Sequence, residues 1–127
     1  MIHSIGRVYH LLGEMQKALE KYNEALPIRR AIGDRRGEAQ TLHNIGVAFW
    51  SLGETQKALE KYNEALPIRR ALGDRIGEAA TLNNIAVACV QLGEMQKALE
   101  NHNEALPIRR AIGDRKGEAD TLTNVGV

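Results

Sequence analysis

One cysteine, three prolines, four histidines and a net charge of +1 are all that this 127-residue chain offers to the common functional signatures. Each shortage excludes something. The lone Cys89 can form no disulfide within the chain. Seventeen Lys and Arg stand against sixteen Asp and Glu, so the basic excess that neutralises phosphates is missing and nucleic acid is not expected as a partner. No apolar run reaches the roughly 18 residues that cross a bilayer, because Glu, Lys or Arg interrupts every stripe; no membrane partner is expected. With no charged leader followed by an apolar run at Met1, a cytoplasmic location is expected. His3 and His10 share a helix face but lie two turns apart, roughly 10 Å by helix rise, too far for one metal ion. His43 and His102 fall on other helices. Cys89 has no histidine at catalytic spacing and sits on an apolar stripe, where a packing thiol is the ordinary outcome. No catalytic residue, cofactor or metal site, and hence no enzyme activity, is expected.

What is present is repetition. The block LGEMQKALEKYNEALPIRRAIGDRRGEAQTLHNIGVAFWS starting at Leu12 returns at Leu52 and again at Leu92, a period of forty residues. A block that short cannot bury its own apolar face, so neighbouring blocks must stack and share a core, which makes a solenoid.

Within a block, Ala39, Leu42, Ile45, Ala48, Phe49 and Leu52 recur at spacings of three and four, the stripe of an amphipathic helix A. Gly53 follows where a left-handed residue closes a helix, and Ala58, Leu59, Tyr62, Ala65, Leu66 and Ile68 form a second stripe, helix B. Gly73 then stops helix B while Asp74 offers a side-chain acceptor to the next helix start, and Gly33-Asp34 and Gly113-Asp114 repeat the pair. Links this short make neighbouring helices antiparallel. The chain therefore reads as one array, 1–127, of helix pairs over 1–33, 34–73 and 74–113 with a closing helix over 114–127. Pro27, Pro67 and Pro107 fall inside helix B, where each should kink the helix one turn earlier. Beyond them, Arg29-Arg30, Arg69-Arg70 and Arg109-Arg110 occupy the last turns. They are expected to be solvated cations favouring the negative end of the helix dipole, with an anion-binding stripe as the lesser alternative.

These residues resemble the tetratricopeptide repeat in a longer, roughly forty-residue version. The pattern of a large residue, Leu, Gly, aromatic, then Ala, aromatic, Ala is met by Leu42, Ile45, Gly46, Phe49, Ala58, Tyr62 and Ala65. Ala86, Cys89 and His102 depart from it in the next repeat. The extension around RRAxGDRxGEA is similar to that of kinesin light chains, Leu-Gly-Asn spindle-orientation adaptors and bacterial multi-repeat proteins, with HEAT-type pairs the alternative on period alone. The resemblance implies an all-α, right-handed superhelical solenoid of antiparallel helix pairs. It also implies that small residues let helices A and B approach, so that Ala86 should be tolerated and Cys89 should pack more loosely than an aromatic.

Comparison of the repeats within the chain locates the variation. Gln40/Ala80, His43/Asn83, Gly46/Ala86, Phe49/Cys89, Trp50/Val90 and Ser51/Gln91 all differ on helix A, whereas helix B is nearly copied. The resemblance places helix A along a concave groove. By alignment the groove residues are His3, Arg7 and His10, then Gln40, His43, Asn44, Val47, Trp50 and Ser51. The next A helix supplies Ala80, Asn83, Asn84, Val87, Val90 and Gln91, and the last Asp120, Thr123, Asn124 and Val127. This mixture suits a protein or peptide ligand: Asn44, Asn84 and Asn124 could satisfy its backbone as a ladder while Val47, Val87 and Trp50 bury its side chains. The alternative is that the ladder only bridges adjacent A helices. A chaperone-tail clamp is disfavoured, since His43 and Asn83 stand where the family's Lys would be and Val47 and Val87 where its Asn would be.

The first helix aligns from Thr41 and the last ends at the equivalent of Val47, with no polar cap at either side. Two further expectations follow, a homo-oligomer assembled through the uncapped terminal helices, or a fragment of a larger bacterial signalling protein. The leading expectation is a scaffold that binds a peptide or protein segment in its concave groove.

Overall fold

The computed structural model describes residues 13–113. They form five α-helices of 17 residues each: α1 (Met15–Ala31), α2 (Arg35–Ser51), α3 (Thr55–Ala71), α4 (Arg75–Gln91) and α5 (Met95–Ala111). No strand occurs among the described residues. Helices α2 and α4 are A-type, and α1, α3 and α5 are B-type. Each helix packs on its sequence neighbours. The helices expected at the two ends, with His3, Arg7, His10, Asp120, Thr123, Asn124 and Val127, lie outside the described residues.

The punctuation read from the sequence sets the helix ends. Gly73 has φ +68°, a conformation that places the Gly73 and Asp74 amides on the carbonyls of Arg70 and Arg69 at 3.1 and 3.0 Å. Those carbonyls would otherwise end the helix unbonded. Asp74 then accepts from the Gly77 amide at 3.0 Å, and Asp34 from Gly37 at 2.9 Å, so the Gly-Asp pair acts as stop and start in both places. Asp114 lies outside the described residues. The A-to-B turns lack this cap: Glu54 makes no side-chain cap bond. Gly73→Ala, which forces a Cβ into the left-handed region, is expected to cost about 1 kcal/mol, measured as a lower urea midpoint at unchanged slope. An unchanged midpoint would show that the turn relaxes freely.

The prolines stay within helices that remain continuous. The core divides into two clusters that meet on α3. Leu19, Tyr22 and Leu26 of α1 pack with Leu42, Ile45 and Ala48 of α2 and with Ala65 and Ile68 of α3. Ala58, Tyr62 and Leu66 of α3 pack with Leu82, Ile85 and Cys89 of α4 and with Ala105 and Ile108 of α5. Phe49 touches both clusters. Burial pushes the Cys89 thiol up, with Glu94 adding and Lys97 opposing, which keeps it protonated and weakly nucleophilic.

The arginine pairs correct the sequence reading. They are not merely solvated helix ends. Arg29 bonds Asp34 at 2.8 Å, and Arg30 and Arg35 converge on the buried Glu38 at 3.0 and 2.6 Å. Arg70 and Arg75 repeat this on Glu78 at 3.1 and 2.9 Å. Arg30 also approaches Glu64 at 3.8 Å and Arg70 meets Glu104 at 2.9 Å, tying successive B helices together. Arg69 is buried outright, 6% exposed. The dipole belongs to the helix that carries the cations, whereas acceptors from the neighbouring A helices, Asp34, Glu38 and Glu78 among them, are what hold Arg29, Arg30 and Arg70.

Candidate functional site

Helices α2 and α4 both pack on α3, and a stripe from each borders a shared cleft. Val47 and Trp50 from α2, Asn84 and Val87 from α4 and Tyr62 from α3 line a space of about 200 Å³. Helical spacing brings them there: Val47 and Trp50 are three apart, as are Asn84 and Val87, so each pair shares one face. Trp50 remains 39% exposed. A large aromatic left in water at the mouth of an apolar cleft is the kind of anchor that interfaces use. Burial pushes the Tyr62 phenol up to about 12, so it keeps its proton at neutral pH.

Beside the cleft runs a polar network. Nη1 of Arg69 donates to Gly77 O at 3.1 Å and to Thr81 Oγ1 at 3.0 Å, and Nη2 donates to Gln40 Oε1 at 3.0 Å. Nη1 also lies 3.4 Å from His43 Nδ1, and the other ring nitrogen, Nε2, faces the Asn84 carboxamide at 3.2 Å. Gln40 passes its own Nε2–H to Asn44 Oδ1 at 3.1 Å. Burial, and then the Arg69 charge, push His43 down to about 4. Its ring also tilts against Tyr62 with centroids 5.7 Å apart. Burial lowers the Arg69 pKa, Asp74 opposing and Arg36 adding, but a guanidinium stays charged.

The groove residues expected from alignment therefore divide. Val47, Trp50, Asn84 and Val87 meet around the cleft, while Gln40, His43, Asn44 and Asn84 join one hydrogen-bonded network. Ser51, Asn83, Val90 and Gln91 are not among the residues lining the cleft; Gln91 instead accepts from Thr55 at 3.3 Å, and Val90 is 45% exposed. Two contributors were missed. Tyr62 had been read as a packing aromatic and Arg69 as a helix-end cation. A larger hollow of about 410 Å³ borders Arg29, Asp34, Arg36, Gly37 and Gln40, but its charges already have partners, Arg29 with Asp34 at 2.8 Å and Arg36 with Asp74 at 3.8 Å.

Antiparallel helix pairs stacked so that one set of helices borders a groove define the class, a right-handed α-α superhelical solenoid. The chain belongs to the tetratricopeptide repeat family, whose model matches residues 1–71 and 73–127. Among solved structures, BtubC (BKLC) from P. vanneervenii is 26% identical with a TM-score of 0.89, over 98% of this chain and 52% of that one. A putative kinesin light chain with nearly identical TPR-like repeats from Podosopora anserina is 18% identical with a TM-score of 0.82, over 98% of this chain and 62% of that one. The TPR2AB domain of yeast Sti1, in a complex with pHSP90, is 22% identical with a TM-score of 0.79, over 98% and 43%. This chain thus spans about half the length of BtubC. A comparison with curated protein sequences returns no match. Among the described residues, no helix is long and apolar enough to cross a membrane.

Proposed function

We propose that this chain is a non-catalytic, cytoplasmic scaffold that holds a segment of a partner protein in the groove along α2 and α4. Tetratricopeptide repeats are protein–protein interaction modules, and the residues that vary between repeats here are concentrated on the A helices. The observation that carries the reading is the convergence of Val47, Trp50, Asn84, Val87 and Tyr62 on one cleft, with Trp50 at 39% exposure. Apolar walls with one amide match what an extended peptide presents: a side chain to bury and a backbone group to bond. Screening the folded chain against a peptide library is expected to yield ligands whose affinity falls about tenfold or more in Trp50→Ala. Ligands indifferent to Trp50→Ala and Asn84→Ala would place binding elsewhere.

A second reading, self-association, is supported by the apolar stretch of α5. Met95 is 57% exposed and Leu99 38%, whereas Leu19, at the same place in its repeat, is 6% exposed. Light scattering over a wide concentration range is expected to show a rising mass on this reading. A constant monomer mass would overturn it.

A further inference from the structure

The B helices are joined to one another by a contact that repeats. Leu19 and Leu26 of α1 share a cluster with Ala65 and Ile68 of α3, and Leu66 of α3 shares the next with Ala105 and Ile108 of α5. An arginine reaches across each junction in the same direction, Arg30 to Glu64 at 3.8 Å and Arg70 to Glu104 at 2.9 Å. A B helix therefore has two different faces. One offers leucines and an arginine to the B helix after it, and the other offers an isoleucine and a glutamate to the B helix before it.

Among the described residues, α1 and α5 are the outermost B helices, and each leaves one of those faces exposed. Ile28 on α1 is 49% exposed, whereas its counterparts Ile68 and Ile108, seated at junctions, are 6% and 4% exposed. On α5 the opposite face is bare. Leu99 is exposed where Leu19 is buried, and Leu106 is half-buried where Leu26 and Leu66 are buried. The charges divide in the same way: Glu24 stands exposed at the position of Glu64 and Glu104, and Arg110 stands exposed at the position of Arg30 and Arg70. Both positions serve two partners at once within the chain. Arg70 holds Glu78 as well as Glu104, and Glu64 holds Lys61 at 3.1 Å while Arg30 approaches it. A junction salt bridge can thus be added to what Glu24 and Arg110 already bond. The exposed face of α5 is shaped for a B helix, and this chain carries one at its other side. The helix seated on α3 is α5, and α1 differs from α5 only at Lys21/Asn101 and Tyr22/His102.

We propose that α1 of one molecule docks on α5 of another, setting Ile28 against Leu99 and Leu106 and Glu24 beside Arg110, so that copies of this chain stack head to tail. The partner is a second copy, and the two patches are unlike. Each molecule therefore keeps one patch free after docking, and the series continues beyond a dimer. By alignment residues 114–127 and 1–12 both carry A-helix sequence, and a junction has one A-helix position for the two, so association is expected at high concentration. This deepens the self-association reading and rests on it.

The test is light scattering on the 127-residue chain over a wide concentration range. The wild type is expected to pass twice the monomer mass without a plateau there. Ile28→Asp and Leu99→Asp each put an unpaired charge into one apolar patch, which docking would have to desolvate. Each variant alone is expected to stay monomeric while keeping the helical circular dichroism of the wild type. Mixed one to one, the two are expected to reach twice the monomer mass and stop, because each supplies the patch that the other lacks. A wild type that stays monomeric overturns the proposal together with the self-association reading. A wild type that plateaus at the dimer, or an Ile28→Asp variant that still associates by itself, leaves self-association standing and overturns the head-to-tail arrangement.

Discussion

Acidification from pH 6.5 to pH 4 is expected to remove about 3 kcal/mol of folding stability through His43 alone, at 1.36 kcal/mol for each unit by which its pKa falls on folding. Burial, and secondarily the Arg69 charge, lower His43 from 6.5 to about 4. In the unfolded chain the imidazole takes up a proton near 6.5, but in the folded chain it resists until about 4. The stabilising difference is therefore complete above 6.5, declines as pH falls through that window, and is exhausted below it. Carboxylates titrate in the lower part of the same range, so the comparison that isolates His43 is the pH dependence of the wild type against His43→Asn. Asn is the residue at the equivalent position 83, and its oxygen can still accept from Arg69. Urea denaturation at a series of pH values is expected to show the wild type losing stability faster than the variant between pH 6.5 and 4; parallel curves would refute the assignment. The buried His102, whose Nδ1 has no hydrogen-bond partner and whose pKa burial lowers, adds a loss of the same sign to both proteins.

Gly46→Ala is expected to destabilise the protein by up to about 2 kcal/mol, and Tyr62→His in the same chain to restore part of that loss. A Cβ on Gly46 would lie 2.5 Å from Tyr62 Cε1 and 2.7 Å from Cδ1, closer than packed atoms tolerate. Alanine in place of a helical glycine would by itself gain about 1 kcal/mol. Overpacking a filled core costs about 1–3 kcal/mol, and the ring, buried to 3% exposure, has little room to retreat. One repeat later Ala86 already carries that Cβ, and the residue at the position of Tyr62 is His102, a smaller ring. The two substitutions are thus a matched pair within one chain. A double-mutant cycle is expected to show a coupling of about 1–2 kcal/mol between contacting residues; strict additivity would show that the Tyr62 ring does not limit the approach of α2 and α3.

That pairing also shows what the sequence could and could not disclose. Helix ends were legible because they follow local rules: Gly73 adopts its left-handed conformation and Asp74 caps Gly77 wherever the surrounding chain lies. The convergence of Val47, Trp50, Asn84 and Val87 followed from alignment with a family whose geometry is regular. Arg69 was not legible, since Arg29, Arg69 and Arg109 are identical in local sequence. Its burial depends on Gln40 and His43, up to 29 positions earlier, and on Thr81, 12 positions later. Ala86 was expected to be tolerated as a small residue, and comparison of the repeats adds a reason: His102, a smaller ring, stands at the position equivalent to Tyr62.

The division of α3 between two cores has a kinetic consequence. Among the described residues, both apolar clusters draw their buried members from three consecutive helices, so these contacts join parts of the chain that are not far apart in sequence. The conformational search closes only short loops, and the entropy lost in closing them grows slowly with length. Topologies of this low contact order fold in microseconds to milliseconds. Adding repeats would lengthen such a chain without enlarging the search, because each new pair finds its docking surface already formed by the pair before it.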